Sequence, residues 1–108
     1  MFDFLKTKKN YEDVDAATFN TLMSETPDGI VLDVRTSDEF NQSSMNGATN
    51  IDIMAGNFTQ KIESLDKNKT YFVYCRSGNR SGNACKLMSN VGFEHLYNLS
   101  GGLMKWTL

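Results

Sequence analysis

Proline, histidine and tryptophan each occur once in the 108 residues, and there are only two cysteines. So few cysteines exclude the disulfide framework that small secreted domains rely on. A lone histidine, His95, has no cysteine or histidine companion at zinc-ligand spacing. No metal is therefore expected, and His95 is read as a packing residue. No stretch approaches the ~18 consecutive apolar residues of a membrane span. The net charge of −2 and a pI near 5.3 leave out the basic face of a general nucleic-acid binder. The first ten residues include Phe2, Phe4 and Leu5 but lack the long apolar stretch and small-residue cleavage site of a secretory leader. Residues 1–9 are expected to form a flexible, solvated extension and the protein to be cytoplasmic, with no membrane partner.

What remains is an ordinary globular composition, 40% hydrophobic and 22% charged, on a chain with neither repeats nor a linker. One domain over 1–108 is expected. Tyr11 to Val14 suits a short edge strand. Asp15 is a good N-cap for a helix with Ala16, Phe19, Leu22 and Met23 on one face. Pro27-Asp28-Gly29 predicts a turn, since proline presets the first corner and glycine permits positive φ. Ile30 to Val34 reads as a strand buried on both faces, and Thr36 or Ser37 as the cap of a short helix through Glu39 and Phe40. Asn46-Gly47 marks a turn, Ala48 to Ile53 a third strand, and Asn57 the cap of a helix to about Ser64. Leu96 to Leu99 reads as the last strand, Gly101-Gly102 as a tight bend, Trp106 as a core anchor, and the six methionines as core gap-fillers. Strands alternating with helices predict an α/β fold with a mainly parallel sheet covered on both faces.

The chemistry concentrates between Tyr71 and Val91. Tyr71 to Tyr74 is a β-branched and aromatic run, and Ala84, Leu87, Met88 and Val91 have the spacing of one helix face. Between them lies Cys75-Arg76-Ser77-Gly78-Asn79-Arg80-Ser81. A free cysteine is mostly thiol at neutral pH. A helix N-terminus and adjacent arginines lower its pKa, and the sequence offers both, with the helix expected to start near Ser81. Glycines at 78 and 82 let successive amides turn toward one centre. The loop therefore predicts a nucleophilic thiolate and an anion cradle. Ligands in such folds lie beyond the carboxyl ends of the strands, which places Asp33 to Arg35 on the same edge as Cys75. Cys85, on the following helix, reads as core packing rather than a resolving thiol.

Loop length narrows the chemistry. Tyrosine phosphatases space their cysteine and arginine by five residues, whereas four separate Cys75 from Arg80. The loop Cys75 to Ser81 resembles the six-residue active-site loop of single-domain rhodaneses, the thiosulfate sulfurtransferases. Asp33-Val34-Arg35 with Glu39-Phe40 is similar to the family's Asp-x-Arg…Glu-Tyr/Phe segment. Asn46-Gly47-Ala48-Thr49-Asn50-Ile51 is similar to its Pro-Gly-Ala-x-Asn-Ile stretch, and Gly101-Gly102 through Trp106 to its C-terminal Gly-Gly-x-x-x-Trp. Ser43, Ser44, Met45 and Asn46 depart from the family's Gly-His-Ile-Pro.

The resemblance implies a rhodanese-like, five-stranded α/β fold and a two-step transfer through a Cys75 persulfide. Arg76 and Arg80 would hold the donor's oxyanion, and the amides of residues 76–81 would cradle the terminal sulfur. Asp33 and Arg35 would either support the site or form an ion pair that pins strand to loop. No cofactor is implied. The partners implied are a small sulfur donor and a thiol acceptor, or a sulfur-relay protein, with the chain a monomer or weak dimer. Three functions remain open: a sulfurtransferase, a persulfide carrier with little thiosulfate turnover, and a small phosphatase or arsenate reductase, which the loop length disfavours.

Overall fold

The computed structural model describes residues 9–107, so the flexible start expected over residues 1–9 lies, apart from its final residue, outside the described residues. The elements run β1 (Tyr11–Val14), α1 (Ala16–Ser24), β2 (Ile30–Asp33), α2 (Ser37–Gln42), β3 (Thr49–Asn50), α3 (Phe58–Glu63), β4 (Tyr71–Tyr74), α4 (Asn79–Asn90) and β5 (Leu96–Leu99), with a closing 3-10 turn at Gly102–Lys105. The five strands form one sheet in the order β1-β5-β4-β2-β3, and every pairing is parallel.

β4 lies at the centre and is buried at all four positions. Side chains alternate across a strand, and that alternation decides which layer each residue joins. Tyr71, Val73 and, just beyond the strand, Cys75 belong to one core layer with Ala84, Cys85 and Met88 of α4 and Phe58 and Ile62 of α3. Phe72 and Tyr74 belong to the opposite layer with Phe19 of α1 and Leu99 of β5. Cys75 therefore leaves the strand on the side where α4 begins.

Two helix starts follow the expected capping chemistry. The Asp15 carboxylate accepts from Thr18 N–H at 2.9 Å, and Thr36, rather than Ser37, caps α2 through a capping box completed by Glu39. Asn57 sits at the start of α3, yet its side chain makes no capping bond and its buried Oδ1 has no partner among the described residues.

Several expectations need correction. Gly29 does not take positive φ; its hydrogen is required because a Cβ would lie 2.7 Å from the Phe72 ring. That ring cannot yield, being stacked on Tyr97 at 5.4 Å and met edge-on by Phe19 at 5.6 Å. The third strand shrinks to Thr49–Asn50. The buried face of α4 is Ser81, Ala84, Cys85, Met88 and Ser89, while Leu87 is 41% exposed. Trp106 is half-buried, edge-on to Phe19 at 5.8 Å. Of the methionines, Met88 is a core residue, whereas Met54 and Met104 lie at the surface.

Candidate active site

The backbone turns sharply after β4 and re-enters a helix within a few residues. Gly78 makes this possible by adopting φ 100, the left-handed conformation open to glycine. A Cβ there would sit 3.1 Å from Gly101 N and 3.2 Å from the Leu99 carbonyl, so the loop lies flush against the end of β5. The helix starts at Asn79, two residues earlier than the sequence suggests. Its first turn folds over Cys75.

The Cys75 sulfur, buried at the end of β4, accepts from the Gly78 N–H at 3.1 Å, the Ser81 N–H at 3.3 Å and the Ser81 hydroxyl at 3.3 Å. Burial is the largest single influence on this thiol and pushes its pKa up. The Ser81 hydroxyl and the Ser81, Gly78 and Ser77 amides together outweigh it and hold the thiol below its ordinary value. Among the described residues no such donors act on Cys85, and burial drives its pKa far upward. The surroundings thus favour ionisation of Cys75 and oppose that of Cys85.

Hydrogen bonds lead that effect, while Arg80 interacts with Cys75 through charge alone. Arg80 turns to Glu39 in a two-point ion pair, Nη1 to Oε1 at 2.7 Å and Nη2 to Oε2 at 3.0 Å. Arg76 is exposed on the rim of a cleft of about 300 Å³ shared with Arg35, Glu39, Gln42, Ser43, Leu103 and Met104. Ser77 and Asn79 are exposed, with the Ser77 hydroxyl accepting from Asn79 N–H at 3.4 Å.

Asp33 and Arg35 form the pinning ion pair. The Arg35 guanidinium donates to Asp33 through Nη2 at 2.7 Å and Nε at 3.1 Å, and Nη2 also donates to the Ser43 carbonyl at 2.6 Å. The Asn50 amide spans the carbonyls of Asp33 and Arg35 at 3.0 and 2.9 Å. Together with a bond from Met45 N–H to the Tyr74 hydroxyl at 3.0 Å, these contacts secure the segment where Ser43 to Asn46 departs from the expected motif.

Glu39 has a double duty that the sequence did not disclose. Its Oε1 accepts from the Thr36 N–H, closing the α2 capping box, while the same carboxylate holds Arg80. The Arg80 hydrogen bonds chiefly lower its pKa, to about 2. A depressed carboxylate contributes stability that is complete above its ordinary 4.5 and is lost as the pH falls toward about 2. Wild type and Glu39→Gln should accordingly differ in Tm at pH 6 and converge in that acid window. Thermal melts against pH check this, and a gap unchanged down to the lowest pH would exclude the ion pair as its source.

Two further residues reach the site: Gly102, read from sequence only as part of a bend and of the C-terminal motif, and Asn98, which no sequence motif marked. Gly102 packs its backbone against Arg76 and Ser77. Asn98 of β5 donates to the Gly78 carbonyl at 3.3 Å. A polar side chain at an inward position of a four-residue strand was the available signal for Asn98; for Gly102, only the doubled glycine was.

Residues 15–108 match the Rhodanese-like domain family. The chain belongs to that family. A putative sulfurtransferase of Bacillus subtilis, YtwF, is 40% identical over 76 residues, covering 70% of this chain and 71% of that protein. The thiosulfate sulfurtransferase PspE of Escherichia coli is 34% identical across 65% of this chain and 67% of its own length. A solved structure of a rhodanese-related protein from Thermoplasma volcanium superposes with a TM-score of 0.75 at 30% identity, covering 89% of this chain and 90% of that one. The rhodanese-like fold expected from the motifs is therefore the observed one, and the family-level activity is sulfur transfer. The family also supplies parts of larger enzymes. A tRNA uridine(34) hydroxylase of Cytophaga hutchinsonii is 33% identical over 93% of this chain but only 33% of its own length.

Proposed function

We propose that this rhodanese-like protein transfers a sulfane sulfur from a donor such as thiosulfate to a thiophilic acceptor through a persulfide on Cys75. The observation that carries this reading is the Cys75 sulfur held by three donors at 3.1 to 3.3 Å from Gly78 and Ser81. In the first step the Cys75 thiolate attacks the outer sulfur of thiosulfate. The bond to the sulfite sulfur breaks, and sulfite departs with its electron pair. In the second step an acceptor, cyanide in the test tube or a thiol in the cytoplasm, attacks the outer persulfide sulfur and returns Cys75 as thiolate. Charge stays on sulfur throughout, so preorganised amides act as an oxyanion hole would. The chemistry calls for no cofactor, and among the described residues no three His, Cys, Asp or Glu side chains are grouped to hold a metal ion.

Arg76, exposed at the cleft rim, is the cation for the incoming anion. Arg80, committed to Glu39, instead braces the loop. Hydrogen bonds to charged groups contribute roughly 1.5–3 kcal/mol, so Arg76→Ala should raise KM for thiosulfate about tenfold with a smaller change in kcat. Lys86→Ala, on the exposed side of α4, should do neither. Steady-state kinetics of both variants check the assignment; equal effects would remove it.

The deciding experiment is mass spectrometry of the protein after incubation with thiosulfate or an organic persulfide. Gain of one sulfur atom on Cys75 is expected, and its absence with every donor would sink the reading. A persulfide carrier is the second reading. It is favoured by the neutralised Arg80 and by a cleft of about 300 Å³, more roomy than a thiosulfate ion needs. Negligible thiocyanate production despite a stable persulfide would select the carrier.

A further inference from the structure

The Cys75 loop is tied to the opposite edge of the sheet by a polar chain that the family motifs do not contain. Asp13 of β1 and Asn98 of β5 are register partners across the parallel pairing. The Asn98 side-chain nitrogen donates to Asp13 Oδ1 at 2.8 Å and to the Gly78 carbonyl at 3.3 Å. Asn98 is only 4% exposed. Its amide orientation follows from chemistry, since a carboxylate and a carbonyl both require the NH₂ end. That leaves the buried Oδ1 with no donor among the described residues. An unpaired buried acceptor destabilises a fold, which marks a side chain retained for what its other end holds. Gly78 is the residue whose own N–H reaches the Cys75 sulfur. The family match begins at residue 15, so Asp13 lies outside it.

We propose that Asn98, oriented by Asp13, is a positioning residue for the sulfur cradle: by anchoring the Gly78 carbonyl it fixes the left-handed residue that aims an N–H at Cys75. The Gly78 carbonyl also accepts the first bond of α4, from Gly82 N–H at 3.0 Å, so the same anchor holds the helix start over the thiol. Through this chain the N-terminal edge strand controls the reactivity of a cysteine three strands into the sheet. The inference rests on Cys75 being the reactive thiol, as in the proposed function, but not on which sulfur compound it meets.

The test is the pH dependence of Cys75 alkylation by iodoacetamide in the full chain, located on Cys75 by mass spectrometry and run without any sulfur donor. Ionisable groups that interact with Cys75 are Arg80 and Cys85 on α4, with Asp13 acting on Cys85 in turn. Asn98→Leu should raise the alkylation midpoint by about half a pH unit, a roughly threefold slower reaction at neutral pH, because each unit changes the thiolate fraction about tenfold. Asp13→Ala should raise it by less. The sign is diagnostic, since removing a nearby negative charge by electrostatics alone would lower a thiol pKa. Phe93→Leu, in the core against Tyr71 and away from the loop, supplies a stability control and should leave the midpoint in place. A midpoint unmoved in Asn98→Leu, unmoved or lowered in Asp13→Ala, or raised equally in Phe93→Leu would overturn the proposal. Should Asn98→Leu fail to fold, Asp13→Ala decides, its side chain being 48% exposed. Absence of persulfide in the wild type would remove the sulfur-transfer reading and leave this result standing.

Discussion

Cys75→Ser is expected to abolish thiocyanate production from thiosulfate and cyanide while leaving the fold intact. The reasoning is chemical rather than steric. An alcohol is a far weaker acid than a thiol, and no cradle of three hydrogen bonds at 3.1 to 3.3 Å makes an alkoxide at neutral pH. Even if it did, attack by oxygen on sulfur would not yield a persulfide that a second nucleophile could discharge. The other thiol offers no rescue, because Cys85 is fully buried and its pKa is pushed far upward. The donors around position 75 belong to Gly78 and Ser81, so they persist in the variant, and a hydroxyl can still use them. Tm should therefore change by only a few degrees. A discontinuous thiocyanate assay beside a melting curve checks both halves. Residual turnover in a folded Cys75→Ser protein would mean that sulfur passes through another group, and the Cys75 persulfide would have to be abandoned.

The alternation of strand and helix was legible because each element satisfies a local rule. β4 is short, aromatic and β-branched, and α1 and α2 carry capping side chains at their first turns. Failures arose where tertiary contact overrode local chemistry. Gly29 looked like a conformational glycine and is instead a packing glycine under Phe72. Leu87 shares the helical spacing of Ala84 and Met88 but falls on the outer side, because Cys85 and Ser89 rotate the buried stripe. A period alone gives an amphipathic face; which flank of it meets the sheet depends on where the preceding loop releases the helix. Here Gly78 releases it two residues early.

The site shows the same division. The thiol, its helix and the glycine-rich loop are contiguous in sequence, so their meeting could be foreseen. The electrostatic assignment could not. Two arginines beside a cysteine suggest two cations for one anion, yet an arginine seeks the nearest carboxylate. Glu39 lies 41 positions from Arg80 in the chain and touches it in the fold. Arg35 is likewise consumed by Asp33. On the proposed function, what remains for a substrate anion is Arg76 and the backbone. Against the burial that raises the Cys75 pKa stand the Ser81 hydroxyl and the loop amides, so the sensitive positions include residues with no side chain at all.

Gly102→Ala is the sharpest test of that dependence. Gly102 is buried at φ 58, and a Cβ there would come within 2.6 Å of Ser77 N and closer still to the Arg76 carbonyl group. The neighbouring 3-10 turn already clamps the loop, with Leu103 N–H donating to the Cys75 carbonyl and Met104 N–H to that of Arg76, both at 3.0 Å. Backbone faces backbone here, so no flexible side chain can move aside; the loop itself must shift. Overpacking of this kind costs about 1–3 kcal/mol, and the left-handed conformation adds about 1–2 kcal/mol for a residue with a Cβ. A misplacement of about 1 Å in reacting geometry can reduce rate on the order of a hundredfold. Gly102→Ala should therefore lose about two orders of magnitude in sulfur transfer, and 10 °C or so in Tm at roughly 4 °C per kcal/mol. Two controls separate the causes. Gly47→Ala has φ 76 with nothing within 4 Å of the new methyl, and should show only the backbone strain. Gly101→Ala, at φ 83, would meet the Lys105 side chain, which can move, and should retain most of its activity. Rates of persulfide formation across the three variants measure the difference. If Gly101→Ala or Gly47→Ala loses as much activity as Gly102→Ala, then generic destabilisation, not displacement of the sulfur cradle, governs this corner of the fold.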